Sequence, residues 1–130
     1  MSDHSKLKAF KLADEVVLLI YKITKGFPKS EMYGLTSQMR RSAVSVPSNI
    51  VEGCARASQT EFLRFLDIAF ASLKELHYQY SLACRLEFID KSEIKEFELK
   101  IIETEKVLGA LIRAIRSEER RVGKECRSRW

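Results

Sequence analysis

Core-facing positions recur along this chain at helical rather than strand spacing, in four blocks separated by short breaks. From Leu7 to Lys25 they fall at Phe10, Ala13, Val17, Ile20 and Thr24, with a second track at Leu12, Val16, Leu19 and Ile23. Such a double track predicts a helix with a broad apolar face. Gly26 followed by Phe27-Pro28 predicts a left-handed C-cap and a stop. Ser30 then caps a second helix running toward Gly53, with Glu31 in its first turn facing the positive end of the macrodipole. Pro47 breaks the pattern, because its missing N–H and ring clash cost about 3 kcal/mol inside an unbroken helix. A kink or restart is expected there, with Ser45 as a fresh N-cap.

The third block is the most regular. Ser58-x-x-Glu61 is a capping box, and Phe62, Leu66, Ala69, Leu73, Leu76, Tyr80 and Ala83 alternate four and three apart behind it. Leu63, Phe65, Ile68, Phe70 and Leu82 lie off that seam and call for burial from several sides. Asp90-x-x-Glu93 opens a fourth helix whose rhythm is Ile94, Phe97, Ile101, Thr104, Leu108, Leu111 and Ile115. Gly109 costs about 1 kcal/mol in its interior, which close approach by another backbone would offset. The short breaks make neighbouring helices antiparallel. The prediction is all-α: an up-down-up-down four-helix bundle over residues 1–116, with helix 2 kinked near Pro47.

Length changes little in that picture, since 130 residues fit one domain and 45% apolar content suits one packed core. The formal charge of +5 matters more once divided along the chain. Residues 1–57 hold nine Lys/Arg against five Asp/Glu, whereas residues 58–116 hold nine against ten. The basic excess therefore belongs to the first half and to the final fourteen residues, SEERRVGKECRSRW, which abandon the seam. Residues 117–130 read as a charged tail outside the bundle, non-native vector-type sequence or disordered, with an RNA-binding basic tail as the alternative. Cys54, Cys84 and Cys126 show no CxxC spacing, which points to reduced thiols and no metal site. The N-terminus lacks an apolar leader and the longest aliphatic run, Val16–Ile20, is too short to span a bilayer, so a soluble cytoplasmic protein is expected.

Catalysis needs a tuned base near a nucleophile, and the histidines are His4, near the chain start, and His77. No partner stands at working spacing from His77, because Glu75, two residues away, points about 200° around a helix. Glu-x-x-His pairs, Gly-rich phosphate loops, G-x-S-x-G and HExxH are all missing. A non-enzymatic protein without cofactors is expected. Ser48, Asn49 and Glu52 share one helical side; they either line a polar pocket or, the favoured reading, cap groups freed by Pro47 and brace helix 2, with Glu52–Arg56 as an i,i+4 ion pair. Arg40 and Arg41, with Lys6, Lys8, Lys11, Lys22, Lys25, Lys29 and Arg64, are the candidate phosphate contacts. A solvated face is the ordinary fate of such charges in one subunit, but a ring repeating them focuses the potential. No aromatic interleaving for base reading is evident in the linear sequence.

Several strings occur in order: Phe27-Pro28, Glu31 to Leu35, Gln38 to Ala43, Ser45 to Gly53, Arg56, and Glu61 to Leu76. Together they resemble the four-helix-bundle family of bacterial 23S rRNA intervening-sequence proteins, from about Leu7 to Ile115. Val46, Val51 and Phe10 depart conservatively from that pattern. The family is similar in fold to the accessory variability protein of diversity-generating retroelements. That resemblance implies a homopentameric barrel with a basic surface engaging nucleic acid, RNA or DNA, and a reverse-transcriptase-like protein. It makes Arg40 and Arg41 the first contacts to test, and Ser45, Pro47, Ser48, Asn49, Glu52 and Arg56 a structural joint. The expected role is an oligomeric nucleic-acid-associated accessory scaffold, or alternatively a protein-interaction scaffold for a polymerase-like partner without RNA binding of its own.

Overall fold

The computed structural model describes residue 4 and residues 7–128, with side chains as far as residue 123. The candidate Lys6, the Cys126 side chain and Trp130 lie outside the described residues. Four helices make the fold: α1 (Lys8–Thr24), α2 (Leu35–Cys54), α3 (Gln59–Arg85) and α4 (Lys91–Ser128), with one 3-10 turn at Lys29–Glu31 between α1 and α2. No strand occurs among the described residues. α2 packs most extensively on α3; α1 touches α2 and α4, and α3 touches α4. Contacts along α3 and α4 pair rising with falling numbers, from Tyr80 with Ile94 to Asp67 with Arg116.

The seam of α3 is the spine of the core. Phe62, Leu66, Ala69, Leu73, Leu76, Tyr80 and Ala83 are all buried, against Val16 and Ile20 of α1, Met39, Ala43, Val46 and Ile50 of α2, and Phe97, Ile101 and Leu108 of α4. Each large apolar side chain in this set contributes about 1.5–3 kcal/mol by leaving water. Thr104 is fully buried on the same seam, and its hydroxyl donates to the Lys100 carbonyl at 2.7 Å, so its burial leaves no orphan donor. The off-seam residues of α3 are partly covered from within the chain. Leu63 is buried and Phe70 half-buried, whereas Ile68 remains 40% exposed.

The helix ends depart from expectation in instructive ways. Gly26 is not left-handed; α1 closes through tight bonds from the Gly26 and Phe27 N–H groups to Ile23 and Thr24. The left-handed residue is Glu87, at φ 62°, where the Phe88 and Glu87 N–H groups reach back to Ala83 and Cys84 in a Schellman arrangement. Ser30 does not start α2. It sits in the 3-10 turn, and the helix begins at Leu35, whose N–H donates to the Glu31 carboxylate at 3.0 Å. A Cβ on Gly34 would stand 2.9 Å from that same Glu31 oxygen, so a larger residue there would require the carboxylate tip to shift from its capping position.

Nor does α2 restart at Pro47. It runs unbroken for 20 residues through that buried proline, and the Ser45 hydroxyl is used sideways, 2.8 Å from the Ser72 hydroxyl of α3. The capping box of α3 is formed on the serine side, Ser58 Oγ accepting from the Glu61 N–H at 3.2 Å. Asp90 caps α4 one residue earlier than its spacing suggests, accepting from the Ser92 N–H at 3.1 Å. Past Arg116 the helix continues to Ser128, and no residue from Ser117 to Gly123 is buried. No helix among the described residues is long and apolar enough to cross a membrane.

Candidate nucleic-acid interface

The basic half of the sequence folds into α1, the turn after it and α2, and Arg40 and Arg41 stand where the end of α1 lies against the start of α2. Thr24 makes the joint. Its hydroxyl donates to the Ile20 carbonyl at 2.7 Å and accepts from Arg40 Nε at 2.9 Å. Held there, the Arg40 guanidinium lies over the Tyr21 ring, 4.7 Å from its centroid. Such a stack contributes about 0.5–1 kcal/mol at an exposed site and fixes the plane of the charge.

Outward from this clamp runs an open groove of about 450 Å³. Tyr21 and Met32 form its apolar wall with Val44, Thr36 and Ser37 lie along it, and Arg40 and Arg41 charge it. Lys25 follows Tyr21 by one helical turn, and Lys29 holds the 3-10 turn through its carbonyl, which accepts from the Met32 N–H. Lys25, Lys29 and Arg41 are exposed.

Among the described residues the ion pairs join Arg56 to Glu52, Lys74 and His77 to Glu105, Lys100 to Glu15, and Arg116 to Asp67. None of them involves Lys25, Lys29, Arg40 or Arg41. Glu31 is the acid of the connecting turn, and one of its oxygens is taken by the Leu35 N–H. The arrangement is suited to anions, with flat apolar surface beside the charge.

Four of the sequence candidates fall elsewhere. Lys22 lines a tight hollow with Glu93 and Glu96 of α4. Arg64 sits on a separate shallow depression of α3, beside Asp67 and Ile68. Lys8 and Lys11 are exposed at the start of α1. Tyr21 and Met32 were not legible as part of the groove, because they reach it from other elements than Arg40 and Arg41. The i,i+4 relation of Tyr21 to Lys25 is the sequence signal that points toward it.

The polar residues around Pro47 form a brace between α2 and α3. Asn49 Nδ2 donates to the Ser45 carbonyl at 2.8 Å and to Ser45 Oγ at 3.0 Å, and Ser45 in turn meets Ser72. Asn49 thus binds the Ser45 carbonyl, not the Ala43 carbonyl that Pro47 leaves without its helical donor. Ser48 and Glu52 are exposed. Arg56 pairs with Glu52 while its guanidinium lies 4.7 Å from the Phe65 ring centroid.

His77 does have a partner, supplied across the interface by α4. Its Nδ1 lies 3.1 and 3.2 Å from the Glu105 carboxylate oxygens, and Lys74 Nζ reaches the same carboxylate at 3.0 Å. That cluster fastens α3 to α4 on a different pair of helices from the groove. No group of three or more His, Cys, Asp or Glu able to hold a metal ion occurs among the described residues.

Comparison with known proteins agrees with this architecture. A crystal structure of a protein of unknown function from the S23 ribosomal protein family of Bacteroides thetaiotaomicron superposes with a TM-score of 0.73. The two chains are 24% identical, and the match covers 81% of this chain and 95% of that one, so the fold is shared. No curated protein sequence matches. The family model described as 23S rRNA-intervening sequence protein matches residues 5–110, nearly the whole bundle, and the chain therefore belongs to the 23S rRNA-intervening sequence protein family.

Proposed function

We propose that this protein is a non-enzymatic, oligomeric accessory scaffold that associates with nucleic acid through the basic end of α1 and α2. The observation that supports this reading is the groove where the end of α1 meets the start of α2, charged by Arg40 and Arg41, with Lys25 and Lys29 exposed on the connecting segment and none of the four ion-paired among the described residues. Unpaired cations on one surface hold mobile counterions, and their release by phosphates drives association. Repetition of this end around a homo-oligomeric ring, five copies by the resemblance, multiplies the effect. Val51 of α2 and Ile68 and Tyr78 of α3, outside the groove, stay at least one-third exposed, and they supply apolar surface for such assembly.

The same apolar residues favour the second reading, a scaffold for a polymerase or reverse-transcriptase-like protein with no RNA binding of its own. Binding of the full chain to a structured rRNA fragment, followed against salt, separates the two. Affinity should fall along a log–log slope of several units, and Arg41→Gln should reduce that slope by about one per protomer engaged. Thermal melts should show Arg41→Gln within about 0.5 kcal/mol of the parent, with Arg40→Ala about 1 kcal/mol less stable through the lost Thr24 bond and Tyr21 stack. Absence of binding at low salt leaves the protein-scaffold reading. A monomer by light scattering at micromolar concentration removes the ring.

A further inference from the structure

We infer that the groove between α1 and α2 takes an unpaired stretch of nucleic acid, bases against its apolar wall and phosphates on its arginines, in preference to a duplex. The inference rests on the basic-surface reading above and adds the class of polymer. A duplex offers a protein surface mainly phosphates and sugars, for which lysines and arginines on a polar face suffice. Here the arginines share their groove with Tyr21, Met32 and Val44, which are 40%, 55% and 38% exposed. That apolar lining has no counterpart on a sugar-phosphate exterior, whereas unpaired bases offer flat faces that stack on aromatic rings and guanidinium planes.

The clamp prepares such a plane. Arg40 is held from behind by Thr24 and from one side by Tyr21, so its planar group is oriented before any ligand arrives. Little side-chain freedom is then lost on binding. Arg41, the next residue along α2, is exposed at the same groove, and the Ser37 hydroxyl precedes it by one turn. Base stacking and phosphate contact can thus be made by neighbouring groups within one nucleotide repeat. The volume, about 450 Å³, suits a base with its phosphate, and the openness of the groove lets a strand enter and leave. Stacking on ring and guanidinium faces is tolerant of sequence, so weak discrimination among bases is expected.

The test uses the full chain and three fluorescein-labelled probes of one mixed sequence: a 12-nucleotide RNA, the matching DNA, and the 12-base-pair RNA duplex. Anisotropy at about 50 mM salt should show both single strands binding about tenfold or more tightly than the duplex; RNA and DNA compared with each other report whether the sugar matters. Tyr21→Leu, which keeps apolar bulk but removes the ring, should weaken single-strand binding about tenfold and duplex binding by much less, through the loosened Arg40 alone. Met32→Ser, at an exposed position outside the helices, should act in the same direction and guards against a folding defect in the first variant. Arg41→Gln should weaken all three probes alike. Duplex binding as tight as single-strand binding, or both apolar-wall variants weakening every probe equally, overturns the stacking inference while sparing the basic surface. No binding of any probe at low salt overturns both.

Discussion

Gly53 provides a measurement of how closely α2 and α3 approach. A Cβ at that position would lie 2.9 Å from Phe62 Cδ1, 3.0 Å from Phe65 Cβ and 3.3 Å from the Phe62 carbonyl oxygen. The ring carbon can swing aside, but Phe65 Cβ and the Phe62 carbonyl move only with the backbone of α3. Alanine at a helical position gains about 1 kcal/mol over glycine in intrinsic preference. Overpacking a tight interface costs about 1–3 kcal/mol, and two unyielding contacts place this site in the upper part of that range. The expected outcome for Gly53→Ala is a net loss of about 1–2 kcal/mol. Gly109→Ala is the internal control. There the added carbon meets Arg113 Nη1 at 3.3 Å, a flexible tip, and Phe70 Cε2 at 3.7 Å, an ordinary contact. It should stabilise by about 0.5–1 kcal/mol, the helix preference with little clash. Urea unfolding followed by circular dichroism at 222 nm, at one fixed protein concentration, gives both values. The reasoning is refuted if Gly53→Ala is as stable as the parent, or if the two substitutions shift stability in the same direction by the same amount.

Two further outcomes follow from other sites. Glu87→Gly should stabilise by about 0.5–1 kcal/mol in the same assay, because a side chain in the left-handed region is disfavoured by about that much and glycine is not. Burial of the Tyr80 phenol, then the nearby Cys84 thiol and Glu98, holds its ionisation well above the ordinary tyrosine value, while its hydroxyl donates to the Ile94 carbonyl at 2.7 Å. A phenol whose pKa is raised by folding contributes stability that is whole below about pH 10, the unfolded value, and is lost as pH climbs above it. Tyr80→Phe should therefore lower stability by about 1 kcal/mol at neutral pH, and should decline less steeply than the parent above pH 10.

How much of this was legible in the sequence depends on the range of the interaction concerned. The α3 seam, Phe62 to Ala83, is buried as its spacing predicts, because a seven-residue repeat forces one stripe whatever lies opposite. On α4 the repeat drifts: Leu111 is only half-buried and Ile112 is covered instead, as a straight helix slips about 20° per heptad. Helix ends were harder. Gly26 has the composition of a left-handed cap and Glu87 does not, yet the left-handed residue is Glu87, next to Phe88, whose ring packs on Phe27 with centroids 5.5 Å apart, a contact between distant segments that local composition does not show. For the candidate site, Arg40 and Arg41 were legible as a charged pair. Their clamp was not, since Thr24 and Tyr21 belong to another helix. Glu105 was hidden from His77 for the same reason, 28 positions away in the chain.

The arrangement in which each helix rests on its neighbours in sequence also bears on how the chain reaches its fold. α2 and α3 share the largest interface and are joined by a short connection, so their pairing needs little loop closure before contacts form. α4 has its seat on α1 and α3, and the α1 contact closes the longest loop. A helical hairpin of α2 and α3 is thus the natural nucleus, on which the outer helices dock later. Crowding at Gly53 falls inside that nucleus, so it would slow folding, whereas loosening the Lys100–Glu15 pair between α1 and α4 would mainly hasten unfolding.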